Sequence, residues 1–292
     1  MLGAIEAGGT KFICGVGTKD GEVLERVSFP TTTPEETMGK VIAFFKDKPI
    51  EALGVGSFGP IDPVLDSDTY GYITTTPKPY WSNFNVVGTL KSEFDVPLAF
   101  DTDVNGAALG ETLWGAAKGT GSCIYITVGT GIGVGAMIDG KLVHGLSHPE
   151  MGHIIVRRHP DDKFEGTCPF HGDCLEGLAA GPAIGKRWGV PAGDLPKDHP
   201  AWEMEAYYLA QALMNYVLVL SPEKIIMGGG VMKQLQLFPL IHAKLKELLG
   251  GYVQHPSLNE NIGSYIVPPQ LGDNAGLCGA LALSQMALDR GF

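Results

Sequence analysis

Short apolar runs that break at glycine turns open the chain. Residues 2–6 read as a strand that stops at Ala7-Gly8-Gly9-Thr10, and residues 11–17 read as its return. Asp20-Gly21 is a tight-turn signal before a third strand at 22–29. The period then lengthens. Thr33 is a capping residue, Pro34 suits the first helical position and Glu36 the third; behind them Met38, Val41, Ile42 and Phe45 fall on one helical face. Residues 52–57 are apolar nearly throughout, which predicts a central strand.

The opening pattern then recurs. Residues 122–128 read as a strand, Gly129-Thr130-Gly131-Ile132-Gly133 as a glycine turn and 134–138 as the return strand. Asp139-Gly140 is again the hairpin turn, with a third strand starting at 141–144. The repetition predicts a duplicated fold, one unit per lobe, against the alternative that a common hairpin signal has occurred twice by chance. Between the copies, Asp103-Val104-Asn105-Gly106 opens a helix of small residues. Residues 144–181 are irregular and rich in His, Cys, Gly and Pro. Helices are expected at 202–220, at 240–249 before Gly250-Gly251, and at 275–288, with a strand at 224–227 running into Gly228-Gly229-Gly230.

Composition narrows what such a chain can be. Its 292 residues are long for one core and suited to two lobes, and 44% hydrophobic against 18% charged residues can build both. Mean hydropathy is +0.09, yet no apolar run reaches the ~18 residues of a membrane span. The start, Met1-Leu2-Gly3-Ala4-Ile5-Glu6, lacks the basic and apolar stretches of a signal peptide. Both features point to the cytoplasm and away from a membrane. A net charge of −11 argues against nucleic acid as a partner, although a local site with a divalent cation can still take an anionic nucleotide. The five cysteines are an odd number, which argues against a complete disulfide framework; Cys14, Cys123 and Cys278 read as core thiols.

Gly8-Gly9-Thr10-Lys11 could bring bare backbone N–H groups and a hydroxyl against phosphate oxygens, or could simply turn the chain. No helix follows with the spacing of a Walker loop. Glu6 just before it is either a solvated acid or the holder of a metal-bound water. The turn at Thr130, Gly131 and Gly133 offers the same chemistry, so the two together could hold a polyphosphate. Gly228, Gly229 and Gly230 at a strand end suit close passage of a flat nucleoside. Asp103, at a strand-to-helix junction, is a candidate proton acceptor or a helix cap. His153, Cys168, His171 and Cys174 give Cys-x2-His-x2-Cys with an upstream His, a donor set for a closed tetrahedral zinc site. The alternative is free thiols beside surface histidines, and His148 and His159 are spare candidates for the upstream ligand. Glu150 and Glu176 bracket this loop, as paired acceptors for a polyol or as surface acids.

These residues, along nearly the whole chain, resemble the ROK sugar kinases (repressor, open reading frame, kinase), and more narrowly the bacterial fructokinases among them. Ala7-Gly8-Gly9-Thr10-Lys11 is similar to the family's first phosphate loop, and Val128-Gly129-Thr130-Gly131-Ile132-Gly133 to its second. Gly228-Gly229-Gly230-Val231 resembles the adenosine segment, flanked by Gln234 and Pro182. Asp103-Val104-Asn105 resembles the segment of the catalytic base, and Glu150-Met151-Gly152-His153 the Glu-x-Gly-His whose Glu binds sugar and whose His both contacts sugar and ligates zinc. Cys174-Leu175-Glu176 resembles a segment ending in another sugar-binding Glu. Thr76-Pro77-Lys78-Pro79, Trp81 and Ser57-Phe58-Gly59-Pro60 resemble the fructokinase branch, and the likeness places Gly59 and Pro60 at the sugar. Glu6 stands where many members have Asp, Thr102 where glucose-type members have Asn, and His171 where others have a third Cys.

The resemblance implies an α/β, two-lobed actin-like ATPase (ribonuclease H-like) fold with duplicated βββαβα units. The N-terminal lobe would cover 1–118, with the C-terminal helix 275–290 packing back on it, and the C-terminal lobe 119–274, with its zinc loop at 144–181. It further implies a homodimer that transfers phosphate from Mg-ATP to the 6-hydroxyl of fructose and carries a structural zinc. Another hexose (glucose, mannose or an N-acetylhexosamine) and, farther off, a non-catalytic sugar or nucleotide sensor are the alternatives.

Overall fold

The computed structural model describes residues 1–290. The chain divides into two compact units: one of residues 1–119, 135–149 and the segment from Gln270 onward, the other of residues 120–134 and 150–269.

The first unit begins with β1 (Leu2–Ala7), β2 (Lys11–Gly17) and β3 (Val23–Pro30). Then come α1 (Pro34–Phe45) and β4 (Ala52–Ser57), a small hairpin of β5 (Tyr72–Ile73) and β6 (Phe84–Asn85), and α2 (Val86–Lys91). β7 (Leu98–Thr102) leads directly into α3 (Asp103–Trp114). The five-stranded sheet has the order β3-β2-β1-β4-β7, antiparallel through the first three strands and parallel through the last two. Period-two alternation sorts its side chains: Ile5, Ala7, Phe12, Cys14 and Val16 enter one buried cluster, while Leu2, Ala4 and Ile13 enter another.

α1 starts where its sequence predicts. The Thr33 hydroxyl accepts from the Glu36 amide at 3.4 Å, Pro34 occupies the first turn, and Met38, Val41 and Phe45 are buried. Ile42 on the same face is only half-buried. Glu36 does not return the bond as a capping box requires; its carboxylate takes the Thr32 hydroxyl and Lys40 instead.

The second sheet runs β10-β9-β8-β11-β12. Its strands are β8 (Cys123–Val128), β9 (Ile132–Ile138), β10 (Lys141–Leu142), β11 (Lys224–Gly228) and β12 (Ile266–Val267). β11 is parallel to β8 and to β12. With strands counted in chain order within each sheet, both sheets read 3-2-1-4-5, the duplicated unit of the actin-like ATPase fold. Two expectations shift. β9 starts at Ile132 because the glycine turn before it is only three residues long, and the third strand of this copy stops at Leu142. Between β10 and β11 lie α4 (Leu175–Ala179), α5 (Gly181–Trp188) and α6 (Ala201–Leu220). α7 (Leu237–Leu249), α8 (Pro256–Asn259) and α9 (Ile262–Tyr265) follow.

α10 (Ala275–Arg290) belongs to the first unit. Its small residues let backbone meet backbone. A Cβ at Gly54 of β4 would run into the Ala280 carbonyl, and Gly279 lies against the backbone of Gly106 and Ala107 in α3. Among the described residues, no helix is long and apolar enough to cross a membrane.

Candidate active site

In the first unit the β1–β2 turn closes with the Gly8 amide on the Lys11 carbonyl at 3.0 Å. Thr31 braces it from behind, its amide on the Thr10 carbonyl and its hydroxyl on the Gly8 carbonyl at 2.7 Å. Gly9 faces open space, and Thr10 and Lys11 are exposed, so this turn presents donors outward. Glu6 lies on the inner side. A side chain at Gly276, near the start of α10, would collide with its carboxyl, and its Oε2 is buried with no hydrogen-bond partner among the described residues. Burial raises the Glu6 pKa, and Lys11 and Arg26 partly oppose that rise. An orphaned carboxylate oxygen of this kind fits the holding of a cation or its water.

Asp103 is the first residue of α3. The cap is Thr102, whose Oγ1 accepts the Asn105 amide at 3.1 Å, so Asp103 is released from that structural task. Its Oδ1 accepts from the Val104 amide at 2.9 Å. Gly59 and Pro60 are joined by a cis peptide at the end of the segment after β4. Trp81 is fully buried, donates to the Thr32 carbonyl at 2.8 Å and packs on Phe12, Phe58 and Phe84.

In the second unit the corresponding turn opens onto a cavity of about 680 Å³. Thr130, Pro182, Gly230 and Gln234 line it, joined by Gly129, Gly181 and Val231. The Gly181 amide, at the start of α5, bonds the Gly129 carbonyl at 2.8 Å, which fixes the turn to the helix. Gly229 has φ +93°, and a Cβ there would strike the backbone of Val128; the two strand ends can lie side by side only because it is glycine. Gly131, Gly133, Gly228 and Gly229 are not part of the cavity wall. Gly228 packs under Tyr125 and Pro269, and Gly131 has no room for a side chain beside Glu176. The wall also contains Gly185, Lys186 and the stretch Gly189 to Gly193, which the sequence did not single out. The only available signal there was the glycine spacing of α5 and its left-handed end at Gly189.

His153, Cys168, His171 and Cys174 come together, with one donor atom from each lying within 4.8 Å of all the others. His153 Nδ1 is 3.4 Å from Cys174 Sγ and 3.7 Å from Cys168 Sγ, and His171 Nδ1 is 3.7 Å from Cys168 Sγ. A tetrahedral zinc with ligands at ~2.0–2.3 Å separates them by ~3.3–3.8 Å, so the cluster fits that ion. Burial pushes the Cys174 thiol up to about 11, and a bound cation would oppose that rise. The hairpin is tight. Cys168 and Gly172 exchange backbone bonds, with Gly172 at φ +67°. His148 and His159 lie elsewhere, on the Ile61 amide and beside Tyr207 respectively.

His153 faces two ways. Its Nδ1 looks into the cluster, and its Nε2 stands 3.9 Å from Glu176 Oε1. Glu176 Oε2 in turn accepts from the Ile132 amide at 2.9 Å, directly after the glycine turn. Glu150 is exposed and caps the short turn that carries His153, whose amide bonds the Glu150 carbonyl at 3.0 Å.

Known proteins resemble this chain over nearly its whole length. A family model described as the ROK family matches residues 2–287. A protein of Bacillus subtilis (strain 168) is 55% identical over 99% of this chain and 97% of its own length. A fructokinase of Pediococcus pentosaceus is 50% identical over 99% of each. Among solved structures, the ROK hexokinase of Thermus thermophilus superposes with a TM-score of 0.79 at 26% identity, covering 99% of both chains. With the match running from the first strand into the last helix, the chain belongs to the ROK family.

Proposed function

We propose that this protein is an ATP-dependent fructokinase that forms fructose 6-phosphate. The observation that carries the substrate is the similarity to relatives named as fructokinases, at 50% identity over 99% of this chain in Pediococcus pentosaceus and 47% over 87% of it in Zymomonas mobilis. The cavity beside Thr130 supports a nucleotide: it is large enough for one, and its glycine-rich wall ends at a turn of backbone amides.

In this reading Asp103 accepts the proton of the 6-hydroxyl as that oxygen attacks the γ-phosphorus. The bond from phosphorus to the ADP oxygen breaks, and Asp103 later returns its proton to solvent. Thr10, Lys11, Thr130 and the amides of Gly9 and Gly131 hold phosphate oxygens, and Pro182, Gly230 and Gln234 hold the nucleoside. Glu6 would hold magnesium through water; when bound, the cation neutralises charge on the phosphates. Glu150, Glu176 and His153 accept and donate hydrogen bonds to sugar hydroxyls, and Gly59 and Pro60 also contact the sugar. The cysteine and histidine cluster would hold zinc, whose chemistry here is structural. With its Nδ1 given to such an ion, His153 would carry its proton on Nε2 and so would donate to a sugar oxygen. A cytoplasmic homodimer, as the family resemblance implies, completes the proposal.

The test is ATP-to-ADP turnover across fructose, glucose, mannose and N-acetylhexosamines. Fructose should dominate, and Asp103→Asn should lower its turnover by about 10²–10⁴. A flat panel from folded protein would point to a sensor, and a near-normal Asp103→Asn would remove the base assignment.

A further inference from the structure

Asp101 is a carboxylate only 3% exposed at the end of β7, two residues before the proposed base. Its Oδ1 accepts from the Thr102 amide at 2.7 Å and from Asn105 Nδ2 at 2.8 Å. Its Oδ2 meets His144 Nε2 at 2.7 Å. Asn105 is itself fixed: its amide is the one that Thr102 caps, and its Oδ1 takes the Ala136 amide at 3.2 Å. Residues 101, 102 and 105 therefore lock the backbone on both sides of Asp103. His144 is the one member of this knot that comes from outside the β7–α3 junction and β9.

The stretch that carries His144 is fastened at its other end too. Ser147 Oγ donates to the Ile61 carbonyl at 3.0 Å, and the Ile61 amide donates to His148 Nε2 at 3.0 Å. Ile61 directly follows the Gly59–Pro60 segment. The strap of residues 143–149 thus touches the unit at two places, one beside the proposed base and one beside a proposed sugar contact. Its starting point is set by the Val143 amide on the Ala136 carbonyl at 2.9 Å.

We propose that the Asp101–His144 pair is a positioning device for Asp103, and that the strap bearing it also positions the Gly59–Pro60 segment. The inference rests on the reading of Asp103 as the proton acceptor. A buried carboxylate whose charged partner is removed becomes an uncompensated charge and rearranges toward water. Here that rearrangement would pull on Thr102 and Asn105 and so displace Asp103. The hydrogen bond to Asp101 outweighs burial in favouring the protonated imidazole, which is the form that pairs best. A displacement of about 1 Å at a reacting group can cost as much as ~10² in rate.

The experiment compares His144→Phe with His144→Gln, whose amide nitrogen reaches close to the position of Nε2. In His144→Phe, kcat should fall about tenfold or more and KM for fructose should rise, while KM for ATP stays within twofold of the parent. His144→Gln should recover most of kcat. A folded His144→Phe with kcat within twofold of the parent, or a His144→Gln no better than it, overturns the proposal. If His144→Phe does not fold, Asp101→Asn takes its place: it keeps the Oδ1 acceptor but loses the charge, and an unchanged kcat there overturns the proposal equally. Asp103→Asn run in parallel separates the two ideas. If it is inactive while His144→Phe is normal, only the positioning role falls; if it is active, the base assignment falls first.

Discussion

The third strand of the first sheet, β3, is eight residues long and leads into α1 and an aromatic cluster around Trp81. In the second sheet the corresponding strand, β10, has two residues and gives way to a loop gathered by two cysteines and two histidines. One copy of the unit is thus finished by buried apolar area, the other by four donor atoms. The difference teaches how an irregular segment can be ordered. Apolar burial is spread over many side chains and fails gradually, whereas a closed donor set concentrates the stabilisation in one bound ion and fails at once when the ion leaves.

The largest test of this contrast is metal removal. Chelation, or Cys174→Ser, should reduce fructose turnover to background and open residues 157–173 to protease, while the fragment carrying Trp81 stays resistant. Equal digestion across the chain would deny that the loop is separately ordered. The opposite break is Trp81→Ala, which removes a fully buried ring and should destabilise by about 3–5 kcal/mol with metal content unchanged. Denaturant melts with metal analysis would read both.

A smaller test lies under the loop. Glu205 on α6 is 1% exposed, and neither carboxyl oxygen has a hydrogen-bond partner among the described residues. Burial raises its pKa well above the usual carboxylate range, with Arg187 opposing. The unfolded chain releases this proton from about pH 4.5 upward while the folded chain keeps it, so stability falls as pH rises through that interval, up to the folded pKa. Glu205→Met, close in shape, should be more stable than the parent by roughly 1–3 kcal/mol, with a gain larger at pH 8 than at pH 5. A gain that shrinks with pH would refute the account. The smallest effect belongs to Thr33→Ala at the start of α1, a loss of about 1 kcal/mol with no change in turnover, measured by thermal melting.

Much of this was legible in the sequence because the signals were local. Asp20-Gly21 and Asp139-Gly140 mark their own hairpins, Gly21 and Gly140 both having positive φ. Cys168, His171 and Cys174 declare themselves by spacing. The unreadable parts are those in which distant residues meet. His144 and Asp101 are 43 positions apart and Ile132 and Glu176 are 44 apart, and no periodicity links them. Lys186 and the 189–193 stretch escaped because a cavity wall made largely of glycine and apolar residues has no motif. The end of β10 at Leu142 was equally hidden, since two residues on, His144 turns to a partner, Asp101, that lies 43 positions away.

Glu176 divides its two oxygens between the Ile132 amide, directly after the glycine turn, and the far side of His153, a proposed metal ligand. Any shift in the cluster is therefore felt at Ile132, and any tightening of the turn is felt at His153. Coupling of this kind is a free energy shared by two equilibria and runs equally in both directions. Whatever factor a metal at the cluster added to nucleotide affinity, nucleotide at the turn would have to add to metal affinity, so a kinase at work would guard such an ion better than one at rest.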